Sequence, residues 1–399
     1  MPETITHLSF SSAGGAGSVA RILSEEQRRR GQDSQLISVI TSDLRKSPLS
    51  APLHAMAAGI DEYTVKAADF SSPISVLRDQ VNGVGMSDLA RADIIHLHGI
   101  NGAMRLEDLH SVPKHTRVVW TLHDMNPFTG ACHYSLGCEA FKRSCSECPA
   151  VKSVFYKRVS DLLTTKKEAV AKVPNLSVVS PSRWLAEEAK HSMVFASHSI
   201  SVIPNPIDPI FLGENIASAK TDKTDKTDET SSLRIIVVAK NLSDPVKQVD
   251  TAVRAFHSAF PHKVNATLTL VGSGGKEFEG EGVSLTGPLA KSDLAQVFAQ
   301  SDVLIVPSRG ENAPLVIGEA AASGCIPLVA SVGGMGEMVS ALQHGSVFGN
   351  TEELVHHLTA LRQVSVATKR QLRLAIRRNA VLLYSPSAAA TEYDKVYSS

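Results

Sequence analysis

The chain has 399 residues, too many for one ordinary core and suited to two domains of moderate size. Apolar residues make up 43% and charged residues 20%, and Lys+Arg equals Asp+Glu at 40 each, so no global field directs the chain to nucleic acid. Apolar runs such as residues 235–239 and 303–306 are far too short to span a bilayer.

Residues 5–10 read as a strand, and the turn Gly14-Gly15-Ala16-Gly17 after them opens an amphipathic helical pattern to about Arg30. Further strands are expected at 35–41, 94–97, 117–122, 176–180 and 200–203, with helical patterns at 153–172 and 181–191. Strands that are apolar throughout and separated by helices predict a parallel sheet covered on both faces. The alternation stops at 212–232, where a short Thr-Asp-Lys repeat has nothing apolar to bury. It restarts with strands at 233–239, 266–271, 283–286, 303–306 and 326–330 and a helix near 248–260, and 369–399 is mostly helical in pattern.

The expected class is α/β, with two Rossmann-like, doubly wound parallel-sheet domains facing a central cleft. Residues 1–206 form the first domain, 207–232 a linker, 233–378 the second domain, and 379–399 a C-terminal helix that crosses back to the first. Open parallel sheets bind ligands at the carboxyl ends of their strands.

Gly14 and Gly15 follow the first strand at a helix start, where backbone N–H groups can approach an anion. The turn is not G-x-G-x-x-G, and no acidic residue ends the second strand as a dinucleotide fold requires, so a tight strand–helix turn is the competing reading.

The segment VLIVPSRGENAPLVIGEAAASGCIPLVAS is the most informative. A buried strand ends at Val306, a loop carries Glu311, and a helix opens near Ala313-Pro314. The N–H groups of Leu315 and Val316 then suit a phosphate or hydroxyl. Glu319 lies further along that helix, and Glu311 and Glu319 can reach two ends of one ligand, accepting hydrogen bonds from vicinal hydroxyls. Lys240 and Lys247 follow the first strand of the second domain, where they can neutralise a diphosphate. No Asp-x-Asp occurs in the chain, so a dedicated divalent site for a diphosphate has no support.

His123 ends a strand in VVWTLHDM and can hydrogen-bond a substrate hydroxyl; a structural pair with Asp124 is the alternative. Cys132, Cys138, Cys145 and Cys148 follow with spacing C-x5-C-x6-C-x2-C. The last pair has zinc-knuckle spacing, which leaves open a structural zinc or four reduced thiols packing a loop. Cys325 reads as a small core residue. The N-terminus shows no cationic segment followed by an apolar one, and five cysteines then suit a reducing cytosol.

Together these features resemble GT-B-fold retaining glycosyltransferases of the GT4 family, over nearly the whole chain. Pro307-Ser308, Glu311 and Glu319-Ala320, followed by VASVGGMGEMV, are similar to that family's donor-site signature, and VIPNPID is similar to its interdomain segment. TLHDMNPFTGACHYSLGC resembles a subgroup of exopolysaccharide and cell-surface glycan assembly. The resemblance implies that Glu319 binds the nucleotide ribose, Glu311 contacts the donor sugar, and Lys247 with Lys240 holds the diphosphate. It places Gly14 and Gly15 against the donor and His123 near the donor sugar, with metal-independent, front-face transfer from a nucleotide-diphosphate sugar to a glycan or lipid-linked acceptor.

The family usually has Arg where Lys240 falls, Lys-Gly where Lys247-Gln248 stands, and Phe or Ser-Gly after the first Glu, where this chain has Asn312-Ala313-Pro314. The rival expectations are a sugar-nucleotide epimerase of the same architecture and a non-catalytic nucleotide-sugar or glycan-binding protein. Basic clusters at 25–31 and 372–380 admit a peripheral contact at the inner face of the membrane, though solvated helix faces explain such clusters more often.

Overall fold

The computed structural model describes residues 3–40, 56–57, 59–62, 64–65, 73–77, 84–173, 175–213, 232–261 and 266–399. The Thr-Asp-Lys repeat lies outside the described residues. The chain divides into two units, residues 1–206 with 386–399, and residues 207–385.

Unit 1 holds a six-stranded sheet of order β2-β1-β3-β4-β5-β6. Its strands are β1 (Thr4–Ser11), β2 (Asp33–Ile40), β3 (Ile94–Leu97), β4 (Arg117–Thr121), β5 (Leu176–Ser180) and β6 (Ile200–Val202). Every pairing is parallel, and His7 of β1 stands beside His96 of β3. All four residues of β3 are buried, as expected of a central strand covered on both faces.

The helix Gly14–Arg29 follows β1 and packs against β1 and β2. Gly17 permits that packing, because a Cβ there would lie 2.0 Å from the Ser11 carbonyl oxygen. The C-terminal helix Pro386–Tyr397 also belongs to this unit and packs against Gly14–Arg29.

Arg30, just beyond Gly14–Arg29, joins it to that C-terminal helix. Its guanidinium donates to Asp394, to the Ser387 hydroxyl and to Thr391. Arg29 and Arg30 both bond Glu26 as well. In the second basic cluster, Arg373 bonds Asp302, and Arg377 bonds the carbonyls of Ala322, Leu212 and Gly213. These guanidinium groups hold elements of the fold together. Among the described residues, no helix is long and apolar enough to cross a membrane.

Unit 2 repeats the plan with order β12-β11-β10-β7-β8-β9. The strands are β7 (Leu233–Asn241), β8 (Ala266–Ser273), β9 (Val283–Gly287), β10 (Val303–Val306), β11 (Ile326–Ala330) and β12 (Ser346–Phe348), again all parallel. The chain enters at β7, between β10 and β8, so the strand order reverses beside β7. Ligands bind at such a reversal, outside the carboxyl ends of the strands. The helix Leu315–Ala322 connects β10 to β11, and residues 319–322 are buried.

Candidate functional site

The loops after β7 and β10 meet at the reversal point of unit 2. The Arg309 amide donates to the Val246 carbonyl at 2.8 Å, which ties the two loops by their backbones. The Lys247 ammonium then pairs with the Glu311 carboxylate, and Glu311 is buried at 8% exposure. A buried carboxylate needs such a partner, because desolvation otherwise disfavours its charge.

The helix Leu315–Ala322 begins just beyond Glu311. Pro314 is its N-cap, not a first-turn residue as the sequence suggests, and no side chain caps it. The Leu315 and Val316 amides therefore have neither a helical carbonyl nor a capping side chain. Ala313 lies half-buried in the approach to this helix.

Glu319 is on the same helix and is 9% exposed. Burial pushes its carboxyl up to about 7; Lys291 opposes the shift and Asp208 adds to it. Lys291 and Asp208 form their own ion pair at 2.8 Å. Neither is apparent in the sequence as a site residue, since Lys291 opens an ordinary amphipathic helix (Lys291–Gln300) and Asp208 caps a short turn. Lys240 is exposed near the end of β7.

In unit 1, Gly14 takes a left-handed φ of 75°, and space is open around both Gly14 and Gly15 at the start of a 16-residue helix. His123 lies two residues beyond β4. Its Nε2 lies 3.0 Å from His98 Nδ1, and burial lowers its pKa to about 4. Asp124 turns instead to His133 at 2.7 Å and accepts the Asn126 amide at 2.8 Å. His123 still lies within the electrostatic reach of the Asp124 carboxylate, while its Nε2 faces His98.

All five cysteines are free thiols. Cys132, Cys138, Cys145 and Cys148 line one cavity of about 10 Å³, with Phe141 and Val159. The loop has apolar packing of its own, since Phe128 and Phe141 are buried with ring centroids 5.7 Å apart. Burial pushes the Cys132 thiol up to about 12 and the Cys145 thiol up to about 11. Cys325 is fully buried and its thiol donates to the Phe298 carbonyl.

Two family descriptions match, Glycosyltransferase Family 4 over residues 13–211 and Glycosyl transferases group 1 over residues 233–363. The chain belongs to glycosyltransferase family 4. A relative from Escherichia coli (strain K12), WcaC, named for colanic acid biosynthesis, is 26% identical over 246 residues. That match covers 60% of this chain and 58% of the relative.

Among solved structures, a sucrose-phosphate synthase from Thermosynechococcus elongatus matches with a TM-score of 0.65 at 17% identity, covering 99% of this chain and 98% of that one. Anabaena HepE in complex with UDP and glucose matches with a TM-score of 0.60 at 14% identity, covering 99% of each. These likenesses establish the GT-B fold.

One departure from the family pattern has a local cost. Gln248 takes φ 46° and ψ 42°, the left-handed region, ahead of the helix Val249–Ala259. A side chain there carries a penalty that glycine does not. Gln248→Gly is expected to stabilise the protein by about 1 kcal/mol, read as a higher urea midpoint at unchanged m-value. An unchanged or lower midpoint contradicts this.

Proposed function

We propose that the protein is a retaining glycosyltransferase that moves a sugar from a nucleotide-diphosphate sugar to a glycan or lipid-linked acceptor. The observation that carries the proposal is the grouping in unit 2 of Lys247 paired with Glu311, the uncapped helix start at Leu315, and Glu319 on that helix. Lys247, Lys240 and the amides of Leu315 and Val316 take the charge that develops on the departing diphosphate, so cations and dipoles supply the stabilisation. Glu319 accepts hydrogen bonds from the ribose hydroxyls, and Glu311 those of the donor sugar. Gly14 and Gly15 present a backbone surface to the donor, and His123 bonds a hydroxyl at its reacting end. The name of the Escherichia coli relative, which refers to colanic acid biosynthesis, supports a role in polysaccharide biosynthesis, and UDP with glucose in the Anabaena structure supports the donor class.

We also propose that Cys132, Cys138, Cys145 and Cys148 hold a structural zinc. They line one cavity, and backbone amides already face two of the sulfurs, Gly130 toward Cys145 and Ala150 and Val151 toward Cys148. Amide N–H groups directed at sulfur favour the thiolate form that binds zinc. Among the described residues, the one group of ligand atoms all within 4.8 Å of one another is His7, His96 and His98, so the four sulfurs must draw closer as zinc binds.

Purified protein given a nucleotide sugar is expected to release nucleoside diphosphate only when an acceptor is present, with the donor's anomeric configuration kept in the product by NMR. Glu311→Ala and Glu319→Ala should each lose at least about tenfold in turnover. Turnover without acceptor and with an altered sugar points to the epimerase, and unimpaired variants contradict the site. Elemental analysis of protein purified without chelator is expected to give one zinc per chain, lost in Cys145→Ser; no stoichiometric metal leaves four reduced thiols with a packing role.

A further inference from the structure

One cavity of unit 1 takes no part in the chemistry described so far. It has a volume of about 30 Å³ and lies between the segments that follow β3 and β4 and the helix Tyr156–Val170. Both segments leave the carboxyl ends of their strands, where open parallel sheets receive ligands. Ile100, Met104, Leu106, Pro127 and Leu162 give the cavity apolar walls. A water-sized group needs about 10–15 Å³ of such space, so the cavity holds about two or three of them. A whole sugar ring is too large for it, and a short substituent on such a ring is not.

The polar groups around the cavity are of two kinds. The Lys166 ammonium donates to the Asn126 carbonyl at 2.8 Å, to Asn126 Oδ1 at 3.1 Å and to the Thr129 carbonyl at 3.2 Å. Asn126 Oδ1 also accepts from the Asn101 amide at 2.6 Å, and the Asn126 amide donates to the Ala131 carbonyl at 2.9 Å. These groups satisfy one another. Trp120 and Glu107 do not belong to that network. Trp120 is 1% exposed, and its indole N–H has no hydrogen-bond partner among the described residues. Glu107 is half-buried, and its carboxylate makes no hydrogen bond among the described residues.

A buried indole N–H is normally paired, because burial without a partner forfeits the bond it makes to water. A group that enters this cavity meets a donor in Trp120, an acceptor in Glu107 and apolar walls. It therefore needs an oxygen acceptor, a proton to donate and an apolar end, all within a few heavy atoms. An acetamido group has the three together in its carbonyl, its amide N–H and its methyl. A hydroxyl lacks the apolar end, and an acetyl ester lacks the proton for Glu107. A free ammonium brings a second cation beside Lys166.

We propose that this cavity is an acceptor subsite that takes the acetamido group of an N-acetylhexosamine. The Trp120 N–H donates to its carbonyl oxygen, Glu107 accepts its amide N–H, and the methyl rests on the apolar walls. The assignment rests on the reading of the protein as a glycosyltransferase and names the sugar class of its acceptor.

The chain has two tryptophans, Trp120 and Trp184, so 15N-indole labelling of the full chain gives two indole signals, which Trp184→Phe assigns. The probes are methyl N-acetylglucosaminide and methyl N-acetylgalactosaminide. Methyl glucoside, methyl galactoside and methyl glucosaminide are the controls. At least one probe is expected to move the Trp120 indole proton downfield, with its acetyl methyl the part most strongly saturated by the protein, while the controls leave Trp120 in place. In transfer assays an acceptor ending in that N-acetylhexosamine should have a KM about tenfold below its hexose counterpart, with the donor KM unchanged. Trp120→Phe and Glu107→Ala should each remove most of that preference.

Should Trp120→Phe not fold, the wild-type indole shift and Glu107→Ala carry the test. Equal movement of Trp120 by probes and controls, or no movement, overturns the subsite, and so does a preference that survives the folded variants. Transfer without any preference for the N-acetylated acceptor also overturns it and leaves the transferase reading standing. Selective probe binding with no transfer to any acceptor contradicts the transferase reading and keeps the ligand assigned to the cavity.

Discussion

In both units every strand runs in the same direction, and this fixes where polarity can go. Helices cover both faces of a parallel sheet, so a polar side chain within a strand has no water to bond. It must find a partner across the sheet or on the covering helix. The buried histidines of unit 1 obey this, whereas the Trp120 indole N–H on β4 has no hydrogen-bond partner among the described residues. His7 and His96 stand side by side on β1 and β3, Gln27 reaches them from the helix Gly14–Arg29, and Tyr393 and Tyr397 reach them from the C-terminal helix. The same parallel direction sets His98 and His123 just past the carboxyl ends of β3 and β4, where their rings meet.

Unit 2 solves the related problem of holding charge before any ligand is present. Glu311 is kept as part of an ion pair with Lys247, on loops already joined by a backbone hydrogen bond. Glu319 is handled differently. Lys291 is engaged with Asp208, and burial pushes the Glu319 carboxyl up to about 7, so a large share of it stays protonated at neutral pH. Its raised pKa destabilises the free fold as pH climbs from about 4.5 toward 7, because the unfolded chain releases that proton more readily. Two hydroxyl donors from a ribose would relieve that cost.

Much of this was readable in the chain itself. Apolar runs such as 303–306 identify central strands, and the spacing of Glu311, Pro314 and Glu319 marks a strand–loop–helix. What could not be read is what depends on distant pairing. His7, His96 and His98 are single polar letters in otherwise apolar or β-rich runs, and only the strand order β1-β3-β4 brings them together. Tyr393 and Tyr397 are 272 and 301 residues from their partners Thr121 and His96. Lys291 and Asp208 are 83 residues apart. The left-handed turn at Gln248 is hidden because its residue type argues against that conformation.

The central claim is that unit 2 binds the nucleotide with Glu319 as a ribose-facing carboxylate that must first lose its proton. Calorimetric titration of nucleoside diphosphate into wild type and Glu319→Gln, across pH 5.5 to 8, tests this most directly. Phosphate protonation is common to both proteins, so the difference between their pH slopes belongs to Glu319. The account predicts that wild-type affinity falls by an additional factor approaching about tenfold per pH unit below about 7, with a proton released on binding, while the variant binds weakly and lacks that added slope. Parallel slopes and equal affinities in the two proteins would contradict it.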